Sequence, residues 1–124
     1  MKKDYDYYLT CWFAGVRAHI DIEYDKPASV RKANRGTDKY RKAAQNIGLL
    51  FPEKIENFAD LMNHKEEEIR VCAAVSIVEL MPHSKNQLDR AKSVILDRMN
   101  HCQPAEIMGW EWWMKQPWAS DSNL

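Results

Sequence analysis

Three cysteines and four histidines are the side chains of this sequence that could supply a nucleophile and its base. Such catalysis needs a thiol within hydrogen-bonding reach of an imidazole. His101 and Cys102 are adjacent in the sequence, so their side chains should point to different sides of a helix end. A dyad would have to form in space with one of the other imidazoles, at His19, His64 or His83. Buried thiols and surface imidazoles without a catalytic role are far commoner than such a dyad.

Sequence motifs that support catalysis or cofactor binding are missing as well. The sequence contains no HExxH, P-loop, GxSxG or GxGxxG pattern. We therefore predict that the chain is not an enzyme and that it uses no cofactor.

The carboxylates of Glu66, Glu67 and Glu68 form the one acidic run that could hold a cation. They follow a polar turn and open a predicted helix, where negative charge is stabilised by the positive end of the helix dipole. A solvated helix N-terminus explains the triplet without an ion, so we predict no metal site.

Positive charge is concentrated in one part of the chain, although the 18 basic and 18 acidic residues balance overall. Residues 26–54 hold eight basic and two acidic residues, whereas residues 55–79 hold two basic and six acidic ones. Five basic residues of the predicted helix 27–46 fall in a sector of about 100° opposite its apolar side. They are Arg31, Lys32, Arg35, Lys39 and Lys42.

This basic sector has two interpretations, a solvated outer face or a surface that docks an acidic partner or phosphates. Nucleic acid is the weaker choice of ligand, because binders of this kind usually have a net basic domain with aromatic rings beside the basic residues. The aromatic residue of this helix, Tyr40, is predicted to point to the core.

Aromatic residues near both ends of the chain are the second candidate surface. Trp110 and Trp113 are three residues apart and share a helix side, whereas Trp112 points elsewhere, so one neighbour cannot bury all three. At least one should be exposed, and tryptophan is enriched at binding hot spots. The alternative is that these rings cap the end of the fold. Tyr7 and Tyr8 allow the same two interpretations.

Helical spacing of apolar residues occurs along the whole chain, and period-two strand patterns are missing. Proline, glycine and capping signals divide the sequence into six predicted helices. Their ranges are 4–23, 27–46, 52–62, 66–81, 85–99 and 104–116. Gly36 should weaken the second helix slightly, and Gly48 should end it. The fold class is therefore all-α.

The most informative stretch is 52–81, which is predicted to form two short helices joined by a polar turn at 63–65. The second of these helices is apolar almost all the way round, so both of its sides must be covered, as in stacked helical repeats. Its start, Asn63-His64-Lys65-Glu66-Glu67-Glu68-Ile69-Arg70-Val71-Cys72-Ala73-Ala74, resembles the turn and inner helix of a HEAT repeat. That resemblance implies that Arg70 pairs with carboxylates or carbonyls of the turn. Alternating hairpins favour a short right-handed HEAT-like solenoid over a four-helix bundle.

The wider layout resembles a family of small HEAT-like bacterial immunity proteins encoded beside polymorphic and contact-dependent toxins. A basic helix at 30–42 precedes one clear HEAT-like hairpin, then a helix with Asp89-Arg90-Ala91 and a closing helix with Met108-Gly109-Trp110. The resemblance covers roughly residues 26–116. It implies a protein that binds one cognate toxin domain, expected to be a nuclease, and occludes its active site or substrate path. The chain would be monomeric alone and 1:1 with the toxin.

Five residues are predicted to contact that partner: Arg35, Lys39, Glu67, Trp110 and Trp112. Two alternatives remain, a HEAT-like nucleic-acid-binding module that uses the basic helix 27–46, and an adaptor or subunit of a larger helical assembly.

The overall composition suits a small intracellular protein. The length predicts a single domain over residues 1–118 and a flexible tail over 119–124. The three cysteines, Cys11, Cys72 and Cys102, cannot pair completely and form no CxxC, which favours a reducing cytoplasm. The start of the sequence does not look like a signal peptide, and no apolar run has the length of a membrane span.

Overall fold

The computed structural model describes residues 2–119, and over these residues it is all-helical, with no strand. The predicted all-α class is confirmed. Six α-helices follow one another along the chain. They are α1 (Tyr5–Ile20), α2 (Pro27–Leu50), α3 (Ile55–Ala59), α4 (Glu67–Leu80), α5 (Lys85–Met99) and α6 (Pro104–Met114). Short 3-10 turns lie at Pro52–Lys54, Asp60–Asn63 and Pro117–Ala119.

The predicted helix starts agree well with the structure. Pro27 and Pro104 each lie in the first turn of a helix, where the missing N–H costs no hydrogen bond. The capping box before α5 is present in full: Ser84 Oγ accepts from the N–H of Gln87 at 3.1 Å, and Gln87 Oε1 accepts from the N–H of Ser84 at 2.9 Å. Local capping chemistry fixes these boundaries.

Two predictions about helix continuity were wrong. Gly48 does not end the second helix, because α2 continues to Leu50 and Gly48 is buried within it. The predicted helix over 52–62 is a short α-helix, α3, between two 3-10 turns. A glycine ends a helix only where the backbone turns left-handed, and no residue among 2–119 has a positive φ.

The chain divides into two compact units, Met1–Ile55 and Glu56–Leu124. In unit 1, α1 packs along α2. Trp12 and Val16 from α1 are fully buried with Ala44 and Ile47 from α2, and Tyr40 is 6% exposed, so it points to the core as predicted. The apolar sides of two amphipathic helices thus make the interior of this unit.

In unit 1, α1 and α2 approach each other closely at two glycines. A Cβ added to Gly15 would lie 2.6 Å from the carbonyl oxygen of Gly36 and 2.6 Å from the backbone N of Tyr40. A Cβ on Gly36 would lie 2.6 Å from the carbonyl oxygen of Gly15. The two backbones are therefore in direct contact, so Gly36 has a packing role besides its helix-weakening effect.

In unit 2, α4 is the central helix, as its all-apolar sequence predicts. Eight of its residues are buried, and it packs against α5 and the Asp60–Asn63 turn. They are Ile69, Val71, Cys72, Ala73, Ala74, Ser76, Ile77 and Val78. Helix α5 contributes Leu88, Ala91 and Ile95 to the same core. Covering α4 on several sides satisfies a helix with no polar face.

The predicted flexible tail falls at the edge of the described chain. Ala119 is 1% exposed and ends the last 3-10 turn, while residues 120–124 lie outside the described residues. The single domain over 1–118 stays a prediction beside the two compact units.

Candidate functional site

The basic sector of α2 is on the surface, as predicted. Arg31, Lys32, Arg35, Lys39 and Lys42 are all exposed. Buried residues of the same helix, such as Ala33 and Tyr40, face the core of unit 1. Two of the predicted partner-binding residues, Arg35 and Lys39, therefore present their charges to solvent.

Part of this sector opens into a cleft between α1 and α2, which we name the basic–aromatic cleft. Its volume is about 300 Å³. Its polar lining comes from three lysines, two tyrosines and an asparagine: Lys3, Tyr7, Tyr8, Lys39, Lys42 and Asn46. No carboxylate belongs to its described lining, which also includes Cys11 and Ala43. The cleft is thus a concentrated positive site with aromatic walls.

The tyrosine rings of the cleft are held by other rings and by a cation. Tyr7 and Tyr8 make an edge-to-face contact with ring centroids 5.2 Å apart, and Tyr8 lies 6.2 Å from Phe51. The Lys3 ammonium lies 5.7 Å from the centroid of Tyr7, within the range of a cation–π contact. Asp4 caps α1 by accepting from the N–H of Tyr7 at 2.9 Å, which fixes this end of the helix.

The sequence indicates Lys39, Lys42, Tyr7 and Tyr8 as separate candidates and does not show that they lie together. Lys39, Lys42 and Asn46 are three and four residues apart on α2, and Tyr7 and Cys11 are four apart on α1. Such spacings place each set on one helix side. What the sequence lacks is the rotation of one helix against the other, which the Gly15–Gly36 contact defines.

The tryptophans of α6 divide into core and surface, as predicted. Trp113 is 5% exposed and donates its Nε1–H to Glu79 at 2.8 Å. Trp110 is half-buried, packs edge-to-face on Trp113 and donates to Glu106 at 2.9 Å. Trp110 is therefore largely engaged within unit 2.

Trp112 belongs to an exposed apolar area that we name the tryptophan patch: Met108, Trp112 and Trp118. Met108 and Trp112 are 71% and 59% exposed and lie one turn apart on α6. The ring of Trp118 contacts that of Trp112 at 5.9 Å. The buried Nε1 of Trp118 has no acceptor among the described residues. A large apolar side chain held at the surface by a second ring is a typical anchor for a protein partner.

Glu67, the fifth predicted partner-binding residue, belongs to an ionic cluster around Arg98, which we name the Arg98 cluster. Nη1 of Arg98 donates to Glu67 at 2.7 Å and to Glu68 at 2.5 Å. Nε and Nη2 bind both oxygens of Glu106 at 2.7 and 3.2 Å. Hydrogen bonding to Glu106 raises the pKa of Arg98, and the Arg98 guanidinium lowers the pKa of the Glu106 carboxyl.

The prediction of a solvated acidic triplet was therefore wrong for Glu67 and Glu68. Glu66 is the N-cap of α4 and its N–H donates to Nδ1 of His64 at 3.0 Å. The other two carboxylates bind Arg98, whose side chain is 17% exposed. This arginine comes from α5, about 30 positions later in the chain, where no local pattern could reveal it.

One arrangement near this cluster has the chemistry of a cation site. Ligand atoms of Glu67, Asp97 and His101 lie within 4.8 Å of one another, and Nε2 of His101 is 2.5 Å from Oε2 of Glu67. A divalent ion here would compete with Arg98 for Glu67.

The surroundings of two imidazoles and one thiol bear on the possibility of a cysteine–histidine dyad. His19 lies 2.8 Å from Oγ1 of Thr37, and Nδ1 of His83 donates to the carbonyl oxygen of Met81 at 2.9 Å. The Cys102 thiol is beside Glu106, and burial together with that carboxylate raises its pKa. A raised thiol pKa disfavours the nucleophilic thiolate.

No protein-family model, curated protein or solved structure matches this chain. None of the helices over residues 2–119 combines the length and apolarity needed to cross a bilayer.

Proposed function

We propose that the chain is an immunity protein, a helical scaffold that neutralises one cognate toxin domain by binding it. The main support for the proposal is the tryptophan patch. Trp112 and Met108 stay exposed on α6, whereas Trp113 of the same helix is buried. Exposed tryptophan is costly to leave in water unless a partner covers it, and it is the residue type most enriched at hot spots.

We also propose that the helices form a short right-handed HEAT-like solenoid. The geometry of Arg70 supports it, since Nη1 donates to the carbonyl oxygens of His64 at 2.8 Å and Lys65 at 3.1 Å. This is the pairing that the resemblance to a HEAT turn implies. The covering of α4 by α5 and the preceding turn is also what an inner repeat helix requires.

The two kinds of surface would contribute differently to toxin binding. Arg35 and Lys39, exposed on α2, would steer an acidic partner surface and accelerate association. Trp112 would slow dissociation by burying its ring. Glu67 and Trp110 would contribute less, because Arg98 and Glu106 already engage their polar groups.

The mechanism we propose is occlusion of the toxin's active site or substrate path, without any chemical step by this chain. A nuclease is the toxin class we expect, because a basic nucleic-acid groove would suit the acidic edge at 66–68. That edge is partly neutralised by Arg98, so its attraction for such a groove would be moderate.

Co-expression with the product of the immediately upstream reading frame tests the proposal. Cells should survive, and the two chains should co-purify as a 1:1 complex. Trp112→Ala should weaken the complex about tenfold or more, given the usual cost of truncating an anchor. Tyr24→Ala is the matched control, since Tyr24 is 82% exposed but lies in unit 1 outside the patch. Absence of both protection and complex would overturn the proposal.

A further inference from the structure

The basic–aromatic cleft of unit 1 shares Lys39 with the proposed toxin-binding surface, and its other lining residues have no part in that proposal. Three ammonium groups, from Lys3, Lys39 and Lys42, line a space of about 300 Å³ with no carboxylate in the described lining. Like charges gathered in a concave site repel one another and raise the local concentration of anions. The cleft is therefore arranged for an anionic ligand.

The type of cation and its neighbours narrow the chemistry of the anion. All three cations are lysines, which bind phosphate as mobile point charges, whereas the arginine fork suits bidentate recognition of a carboxylate or a phosphate. The two tyrosine hydroxyls and the Asn46 amide add neutral hydrogen-bonding groups to the lining. Such groups orient a ligand whose charge the lysines hold.

The tyrosine rings of the cleft indicate which chemical group is attached to the phosphate. Tyr7 and Tyr8 come from α1 and stand beside lysines of α2, which is the combination that backbone-tracking nucleic-acid sites use. Tyr40, the aromatic residue of α2 itself, is in the core, so the sequence of that helix alone lacks this signal. The volume lies at the lower end of the range for small-ligand sites and has room for about one nucleotide.

We propose that the basic–aromatic cleft binds a nucleotide unit, with the lysines on the phosphate and a tyrosine ring against the base. The source of that unit is a free mononucleotide or one residue of a single-stranded nucleic acid, and both present the same chemistry. Aromatic rings do lie beside the basic residues of this cleft, so it has the feature that α2 alone lacks and that nucleic-acid sites use.

Fluorescence anisotropy of a labelled eight-nucleotide poly(U) RNA tests this with the full chain. We expect saturable binding at low salt that weakens as salt rises. Lys39→Gln and Lys42→Gln should each reduce affinity about fivefold to tenfold, and Tyr7→Ala about tenfold, in line with one lost base stack. Lys32→Gln is the matched control, an exposed lysine of the same helix that is not in the cleft lining.

Competition experiments distinguish a free mononucleotide from a single-stranded nucleic acid as the ligand. Displacement of the RNA by AMP supports a site that accepts a free mononucleotide, and displacement only by longer oligonucleotides supports the single-strand form of the proposal. Displacement by pyrophosphate as effective as by AMP, with Tyr7→Ala unchanged, overturns the assignment of the base.

Two further outcomes would overturn the proposal altogether: no RNA or AMP binding at low salt, or equal losses in Lys32→Gln and Lys39→Gln. Circular dichroism of each variant would verify its helical content. Trp112→Ala should leave nucleotide binding unchanged, so failure of the toxin proposal and failure of this one are distinguishable.

Discussion

Unit 1 and unit 2 are both helical, but they use charge in opposite ways. Residues 1–55 contain eleven basic and seven acidic residues, and residues 56–124 contain seven basic and eleven acidic ones. In unit 1 the backbones of α1 and α2 touch at two glycines, and lysines are left to line an open cleft. In unit 2 several charges are joined across helices, as in the Arg98 cluster and in the pair between Arg90 and Glu56 at 2.7 Å.

The difference indicates where each unit could bind a ligand. A charge that already has a partner attracts a ligand less strongly, because the opposite charge of that partner cancels much of its field. Unit 2 therefore offers mainly an apolar anchor, the tryptophan patch. Unit 1 offers the ammonium groups of a cleft whose described lining contains no carboxylate. One chain thus carries a surface suited to a protein and a cleft suited to an anion.

The largest expected effect concerns the two neighbouring tryptophans of α6. Trp113→Ala should lower the free energy of unfolding by about 3–5 kcal/mol, because it leaves a cavity and removes the bond to Glu79. Trp112→Ala should change it by less than about 1 kcal/mol, since its ring is 59% exposed. Urea unfolding of both variants measures this. Similar losses for both would mean that Trp112 stabilises the fold. The contrast between a buried Trp113 and an exposed anchor at Trp112 would then no longer hold.

The glycine contact of unit 1 should give the next largest effect. Gly15→Ala places a methyl group against backbone atoms that cannot move independently, so we expect a loss of about 2–3 kcal/mol in the free energy of unfolding. Gly109→Ala is the control, because nothing lies within 4 Å of its added Cβ. That variant should gain about 0.5 kcal/mol from helix propensity. If thermal or urea unfolding shows Gly15→Ala to be as stable as Gly109→Ala, the helices of unit 1 are not held by this contact.

Loss of the Arg98 side chain in unit 2 should have a smaller effect on the free energy of unfolding. Arg98→Met should destabilise the protein by about 2 kcal/mol, because three partly buried carboxylates lose their common donor. Asp89→Asn, which breaks an exposed pair with Lys85, should cost only about 0.4 kcal/mol. Urea unfolding at low and high salt checks both. A neutral Arg98→Met variant would show that the cluster contributes no net stability.

The smallest effect is the pH dependence of Glu106. Arg98 lowers its pKa in the folded state below the usual value of 4.5. A lowered folded pKa means that the unfolded chain takes up the proton first, so this contribution is present above pH 4.5 and is lost as pH falls through the folded pKa. The loss should be only about 0.5 kcal/mol, since the carboxylate is partly exposed. In unfolding measurements from neutral pH to about pH 3, Glu106→Gln should show a flatter acid limb; an identical limb would contradict the assignment.

The sequence predicted features that depend on neighbouring residues. Proline and capping signals located Pro27, Pro104 and the Ser84–Gln87 box, and hydrophobic patterning identified α4 as the central helix. The separation of Trp112 from Trp113 followed from helix geometry alone. These features depend on residues three or four positions apart, which the 3.6-residue period relates directly.

Features that depend on distant residues were not predicted. The sequence placed Glu67 and Glu68 in solvent because their partner Arg98 lies about 30 positions away. It also treated Tyr7 and Lys39 as separate candidates, although α1 and α2 bring them into one cleft. Gly48 resembled a helix end because nothing local shows that α2 continues past it.

The position of Trp12 has a practical consequence for spectroscopy. It is fully buried and is the one tryptophan of unit 1, whereas the other four belong to unit 2. A variant in which Phe replaces the four unit 2 tryptophans would carry a single indole that reports on the α1–α2 interior. Its emission should shift to longer wavelength when that interior opens to water. The loss of structure in unit 1 could then be followed by fluorescence without a signal from unit 2.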